Sequence, residues 1–208
     1  IKNTFSFIHL KFFGINTISQ VSLVIAAPFL SRIYNPSQLA IASLFYTVTA
    51  IIGSLSTFSL ENAILIESDR ESINNTVFLS ILINFFFAIT IILLPFKYYL
   101  FSLFSEFKFD ITFLCNYLPI SIFLFGSFNT LRTLMVKNSY YKYLGISKFI
   151  LGFFVPIISL LVGIQEGGYK GLIFSYLLGL LIVSLFFLIT FVLKRSISFR
   201  SFKIRKIN

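Results

Sequence analysis

The sequence predicts an all-α membrane protein: a single bundle of six transmembrane helices with both termini in the cytoplasm. Six long apolar stretches, separated by short polar loops, fill nearly all of the 208 residues. Charged residues make up only 12% of the chain, whereas soluble domains carry roughly 25%. Lys and Arg residues collect in alternate loops, which is the pattern of a multi-pass membrane protein.

Each apolar stretch is close to the length that a membrane-crossing helix needs. About 20 helical residues span the roughly 30 Å hydrocarbon core of a bilayer. Barrel strands would alternate apolar and polar residues, but residues 177–193 are apolar on every side, so we predict helices. The predicted spans are 12–30, 39–60, 76–96, 111–131, 148–162 and 171–193, and a basic tail follows at 194–208.

The start of the second span carries a helix-capping pattern. Asn35 is placed to be the N-cap, and Pro36 suits the first helical position. Gln38 sits where the reciprocal partner of a capping box belongs. Three further prolines, Pro28, Pro119 and Pro156, fall within spans and can bend their helices.

The basic residues indicate the orientation of the chain in the bilayer. Most of the 17 Lys and Arg residues lie in the N-terminus, the 61–75 and 132–148 loops, and the tail. The positive-inside rule places these segments in the cytoplasm. We therefore attribute the net charge of +10 to membrane orientation rather than to nucleic-acid binding.

Polar residues in the first span form a candidate functional face. Asn16 and Gln20 are four residues apart, so they share one side of a helix. Such residues in a span usually face the bundle interior or a water-filled cavity. They either line a substrate path or hold the bundle together through hydrogen bonds between helices.

Charged residues near the ends of spans form a second set of candidates. Arg32, Glu61 and Arg132 occupy such positions, and Asn129 precedes Arg132 by about one helical turn. A charge at mid-membrane costs roughly 2.5–3.5 kcal/mol, so these side chains either snorkel to the interface or serve a ligand. A guanidinium binds phosphate well because it donates in a planar fork.

The sequence shows no pattern typical of an enzyme, a metal site or a cofactor site. A phosphate-binding G-x-x-x-x-G-K-[ST] loop is absent, which argues against ATP hydrolysis. The chain has one cysteine, Cys115, and one histidine, His9, so no cysteine cluster can bind a metal. We therefore predict a non-enzymatic membrane protein without cofactors.

Four short segments along the chain carry recognisable motifs. In order they are LSRIYNPS at 30–37, STFSLENAI at 56–64, KNSYYK at 137–142 with ISK at 146–148, and GLI with YLLG at 171–179. They resemble motifs of the polysaccharide flippases of the MOP superfamily, which export O-antigen units and other lipid-linked oligosaccharides. Ser59, Ser37 and Ala40 depart from the Arg, Glu and Gly that the family carries at those positions.

The resemblance implies a transporter. Family members consist of two six-helix bundles with the substrate cavity between them, and this chain corresponds to the N-terminal bundle. The implied activity is alternating-access transfer of an undecaprenyl-diphosphate-linked oligosaccharide across the bacterial inner membrane. Arg32 and Arg132 would contact the diphosphate or acidic sugars. Asn16, Gln20 and Asn129 would line the path, and Glu61 is the nearest candidate for a proton carrier.

Two alternatives stay open from the sequence. The chain could be a non-transporting bundle, either truncated or dependent on a partner such as a second six-helix half. It could also be a multidrug exporter of the same superfamily, because motifs of this strength do not fix the substrate.

Overall fold

The computed structural model of this chain describes residues 2–93, 111–165 and 168–193; for residues 2–16, 18 and 111 only the backbone is described. The predicted tail at 194–208 lies outside these ranges. Within them the protein is all-helical. The helices are α1 (Lys2–Ile33), α2 (Pro36–Leu55), α3 (Leu60–Ile66), α4 (Arg70–Leu93), α5 (Ile111–Lys137), α6 (Tyr141–Phe149), the π-helical segment Ile150–Phe154, α7 (Val155–Ile164) and α8 (Gly168–Leu193).

The described part of the chain has the helices of a multi-pass membrane protein. Five segments are long and apolar enough to cross a bilayer, and Ser19–Ile33 forms a shorter apolar helix. The five are Pro36–Leu55, Arg70–Leu93, Thr112–Lys137, Tyr141–Ile164 and Gly168–Leu193. The predicted helical membrane class is therefore confirmed, whereas the count of six spans and the cytoplasmic termini stay predictions.

The start of α2 confirms the predicted capping pattern. Pro36 is the first helical residue, and Asn35 precedes it with an extended backbone. The Asn35 N–H donates to Gln38 Oε1 at 3.1 Å. Tyr34, the residue before the cap, is only 2% exposed, and its hydroxyl donates to the backbone oxygen of Ser159 on α7. The turn between α1 and α2 is thus fastened to α7.

The second helix ends before the predicted span 39–60 does, and a short helix lies in the predicted 61–75 loop. α2 ends at Leu55 and α3 begins at Leu60. Between them Phe58 and Ser59 have left-handed backbone, with φ of 49° and 58°. For residues with a Cβ this conformation costs roughly 1–2 kcal/mol each. The turn directs α3 onto α4 and α5, against which it packs.

The helix after the α5–α6 turn is irregular near Pro156, the residue at which a bend was predicted. Proline has no N–H, so the carbonyl four residues earlier loses its usual partner. The π-helical segment Ile150–Phe154 lies just before Pro156, and Ser22 Oγ of α1 donates to the Gly152 carbonyl at 2.7 Å. A Cβ on Gly152 would lie 2.8 Å from the Ser19 carbonyl oxygen, so only glycine allows this approach.

α5 and α8 occupy the centre of the bundle. In the most apolar segment of each helix, 56% of the residues of α5 and 50% of those of α8 are buried. The corresponding share is 22–28% in the other three described spans. α2 and α4 pack on α5, while α1 packs on α6, the π-helical segment and α7. Close packing between these helices is the main stabilising term in lipid, where the hydrophobic effect between helices is lost.

The bundle has two distinct ends. At the α1–α2 end, Tyr34 lies against Gly163 and Gly171, next to the turn between α7 and α8. At the α5–α6 end, a core cluster joins the short helix α3 to the centre of the bundle. Its buried members include Ile64, Leu131, Leu134, Met135, Phe187 and Phe191.

Candidate functional site

An open polar cavity of about 310 Å³ lies at the α5–α6 end, between α3 and α5. We name it the α3–α5 cavity. Three of the six residues predicted from the sequence, Glu61, Asn129 and Arg132, line it together. The remaining lining residues are Asn62, Leu65, Thr133 and Val136. The cavity therefore combines a carboxylate, two amides, a hydroxyl and a guanidinium.

Local structure explains why these side chains meet. Asn129 and Arg132 are three residues apart on α5, so they lie on the same helix face. Glu61 reaches that face because the left-handed turn at Phe58 and Ser59 redirects the chain into α3. The buried Thr57 hydroxyl donates to the Glu61 carboxylate and holds it in place.

Lys137 fixes α3 beside the cavity. Its Nζ donates to the carbonyl oxygens of Leu65 and Glu67, each at 2.6 Å. These carbonyls end α3, where a helix lacks internal hydrogen-bond donors and carries partial negative charge. Lys137 is therefore a structural cation of this site. From the sequence alone it counted only as one of the loop charges that orient the chain in the membrane.

Arg132 is the cation available to a ligand in this cavity. Its side chain is exposed. No hydrogen bond or ion pair joins it to another residue in the described ranges. A carboxylate and amides can exchange hydrogen bonds with sugar hydroxyls, and a free guanidinium can bind a phosphate through two parallel bonds. The chemistry of the cavity thus suits a ligand that carries both groups.

The structure separates Arg32 from Arg132. Arg32 is exposed in the last turn of α1, two residues before Tyr34, and so belongs to the α1–α2 end. Phe113 belongs to the same end, because Lys170 lies over its ring at 5.0 Å. Phe113 and Arg132 are about 28 Å apart along α5 at 1.5 Å per residue. The two arginines therefore do not contribute to one site in this arrangement.

Gln20 lies in a different cavity, between α1 and α6. The residues that line this cavity, of about 290 Å³, are Ser19, Gln20, Leu23, Lys148, Leu151 and Gly152. We name it the α1–α6 cavity. Asn16 belongs to the same helix, but its side chain lies outside the described residues. The predicted polar face of α1 is thus separate from the α3–α5 cavity.

A buried polar cluster in mid-bundle is missing from the predicted set. Asn84 of α4 is fully buried, and its Nδ2 donates to Phe123 O at 2.8 Å and to Ser127 Oγ at 3.3 Å. Ser56 Oγ donates to Asn84 Oδ1 at 2.7 Å. A Cβ on Gly126 would lie 2.7 Å from the Asn84 amide, so this glycine makes room for it. The sequence did contain a signal for this cluster, because Asn84 is a polar residue inside the apolar span 76–96.

Comparison with family models, with curated proteins and with solved structures finds no match to this chain. Its function is therefore inferred from its own residues and their arrangement.

Proposed function

We propose that this chain is the N-terminal six-helix half of a transporter that moves lipid-linked oligosaccharide across the bacterial inner membrane by alternating access. One observation carries the proposal: Glu61, Asn129 and Arg132, chosen from the sequence, line one polar cavity on a membrane bundle. The four motif-like segments described above supply the identity of the transporter class. The substrate is an undecaprenyl-diphosphate-linked sugar unit.

The cavity has separate groups for the two parts of such a substrate. Arg132 binds the diphosphate, because a guanidinium donates two parallel hydrogen bonds to a phosphate. Glu61, Asn62 and Asn129 exchange hydrogen bonds with sugar hydroxyls. In the proposed orientation, with both termini in the cytoplasm, the α5–α6 end faces the cytoplasm, where the lipid-linked substrate is loaded.

The test is export of lipid-linked oligosaccharide by the full-length protein in cells that lack their own exporter. Arg132→Ala should lower the export rate at least about tenfold, because hydrogen bonds to charged groups contribute roughly 1.5–3 kcal/mol. Arg132→Lys should give an intermediate rate, since an ammonium keeps the charge but loses the planar fork.

Arg70→Ala is the matched control, because Arg70 is an exposed arginine in the first turn of α4 and does not line the cavity. It should leave export unchanged. Equal export by the Arg132→Ala and Arg70→Ala proteins would contradict the proposed site. A stably folded wild-type protein without export activity would instead favour a partner-dependent or non-transporting bundle.

A further inference from the structure

The α1–α6 cavity contains a lysine at the start of the predicted span 148–162. Lys148 is exposed and is the eighth residue of the segment Tyr141–Ile164, so its Cα lies about 10 Å along the helix from Tyr141. A lysine at the end of a span extends toward the membrane interface, where lipid phosphates lie. Lys148 lines a cavity of about 290 Å³, near the lower size limit of small-molecule sites.

The walls of the cavity are formed by an unusual piece of backbone. The π-helical segment begins two residues after Lys148, and such segments occur frequently at functional sites. Gly152 packs directly on the backbone of Ser19, and Ser22 Oγ holds the Gly152 carbonyl at 2.7 Å. These contacts fix α1 against the π-helical segment and thereby hold Gln20 near Lys148.

The mouth of the cavity opens toward lipid. Leu23 lines the cavity and is 49% exposed, and its neighbour Val24 is 72% exposed. Apolar side chains exposed on a membrane span contact acyl chains. A ligand that enters here therefore reaches the cavity from the bilayer.

We infer that the α1–α6 cavity binds the phosphate group of a membrane lipid, with Lys148 as the cation and Gln20 as a neutral hydrogen-bond donor. An ammonium donates hydrogen bonds to phosphate oxygens, and the Gln20 amide is a further donor. The site is distinct from the α3–α5 cavity. The inference requires a membrane-embedded chain but no transport activity.

The experiment is lipid binding to the purified full-length protein, measured by native mass spectrometry. Phosphatidylglycerol and diacylglycerol of the same acyl chains are compared, because they differ by the phosphate-bearing headgroup. Wild-type protein should retain phosphatidylglycerol and release diacylglycerol. Lys148→Met should weaken phosphatidylglycerol binding about tenfold, and Gln20→Leu about threefold, as expected for a charged and a neutral hydrogen bond.

Lys142→Met is the matched control, because Lys142 is an exposed lysine in the first turn of the same helix and does not line the cavity. It should bind the lipid like wild type. Lys148→Arg keeps the charge and should also bind, so a loss confined to Lys148→Met is not a folding defect. Thermal unfolding of each variant verifies this.

Three results would overturn the inference. The first is equal binding by the Lys148→Met and Lys142→Met proteins. The second is retention of diacylglycerol as strong as that of phosphatidylglycerol. The third is displacement of the lipid by millimolar inorganic phosphate, which would make the free anion the ligand. Failure here leaves the Arg132 export test unaffected, so the two proposals are separable.

Discussion

At the scale of single residues, polar side chains inside the bundle perform two different tasks. Those at the surface of α3 and α5 line a cavity, whereas those in mid-bundle join helices to one another. Asn84 is the clearest member of the second group, because its amide joins α4 to α5 by two hydrogen bonds and to Ser56 at the end of α2 by a third. Two hydroxyl pairs join further helices, Thr49 with Ser121 at 2.9 Å and Ser80 with Thr130 at 2.8 Å.

Replacement of Asn84 tests this structural role. Asn84→Ala should lower the free energy of unfolding by about 1–2 kcal/mol, since hydrogen bonds between membrane helices contribute about 0.6 kcal/mol each on average and three are lost. Thermal unfolding in detergent measures the change. Thr90→Ala is the control, because among the described residues the Thr90 hydroxyl bonds only to Phe86 O within α4. Equal stability of both variants would refute the role assigned to Asn84.

Part of the candidate site could be predicted from the sequence. Asn129 and Arg132 share a helix face by spacing alone, which local periodicity reveals. Glu61 could not be placed beside them in this way, because its position depends on a left-handed turn. That turn is formed by Phe58 and Ser59, and non-glycine residues do not signal such a turn in a sequence. Arg32 was grouped with Arg132 by charge, although the predicted topology already places their loops on opposite sides of the membrane; the direction of the helices agrees with that topology.

At the scale of elements, apolar length predicted where helices lie better than where they end. The break between α2 and α3 was missed because Ser56, Thr57 and Ser59 do not interrupt an apolar stretch as Gly or Pro would. A bend at Pro156 was predicted, since proline removes a backbone donor at a known place. The structure has a π-helical segment there, and its attachment to α1 depends on packing that the sequence does not display.

The contact between α1 and the π-helical segment provides an element-scale prediction. Gly152→Ala places a Cβ 2.8 Å from the Ser19 carbonyl oxygen, so the two backbones must separate. We expect a loss of about 1–3 kcal/mol in unfolding free energy, as for other overpacked sites. Ser22→Ala, which removes one hydrogen bond, should lose only about 0.6 kcal/mol.

Urea or detergent unfolding monitored by circular dichroism distinguishes the two effects. Ser31→Ala serves as the control on α1, because in the described part of the chain the Ser31 hydroxyl donates only to Pro28 O of its own helix, at 3.0 Å. A Gly152→Ala protein as stable as the Ser31→Ala protein would mean that the two helices do not pack this closely.

At the scale of the whole molecule, the arrangement of charge and the arrangement of helices agree. The α3–α4 and α5–α6 turns share one end of the bundle, where Lys137 donates to the carbonyls of Leu65 and Glu67. These turns lie in the 61–75 and 132–148 loops, which the positive-inside rule places in the cytoplasm. The α1–α2 turn belongs to the opposite end, where Tyr34 contacts Gly163 and Gly171.

Matched cysteine variants test the orientation. Cys115 is buried and is first replaced by alanine. Ser37→Cys and Ser68→Cys then place one exposed thiol at each end. A membrane-impermeant maleimide should label the Ser37 variant in intact spheroplasts and the Ser68 variant only after lysis. The reverse pattern would invert the bundle and place the α3–α5 cavity outside the cell.

The hydrogen bond from Ser22 to Gly152 joins residues 130 positions apart, which has a consequence for biosynthesis. At roughly 5–20 residues per second, the ribosome needs on the order of 10 s to make the partner of α1 after α1 itself has emerged. During that interval α1 lacks the helices against which it packs. Its polar groups must then be satisfied by the insertion machinery or by lipid headgroups, so α1 is the element whose assembly depends most on the order of synthesis.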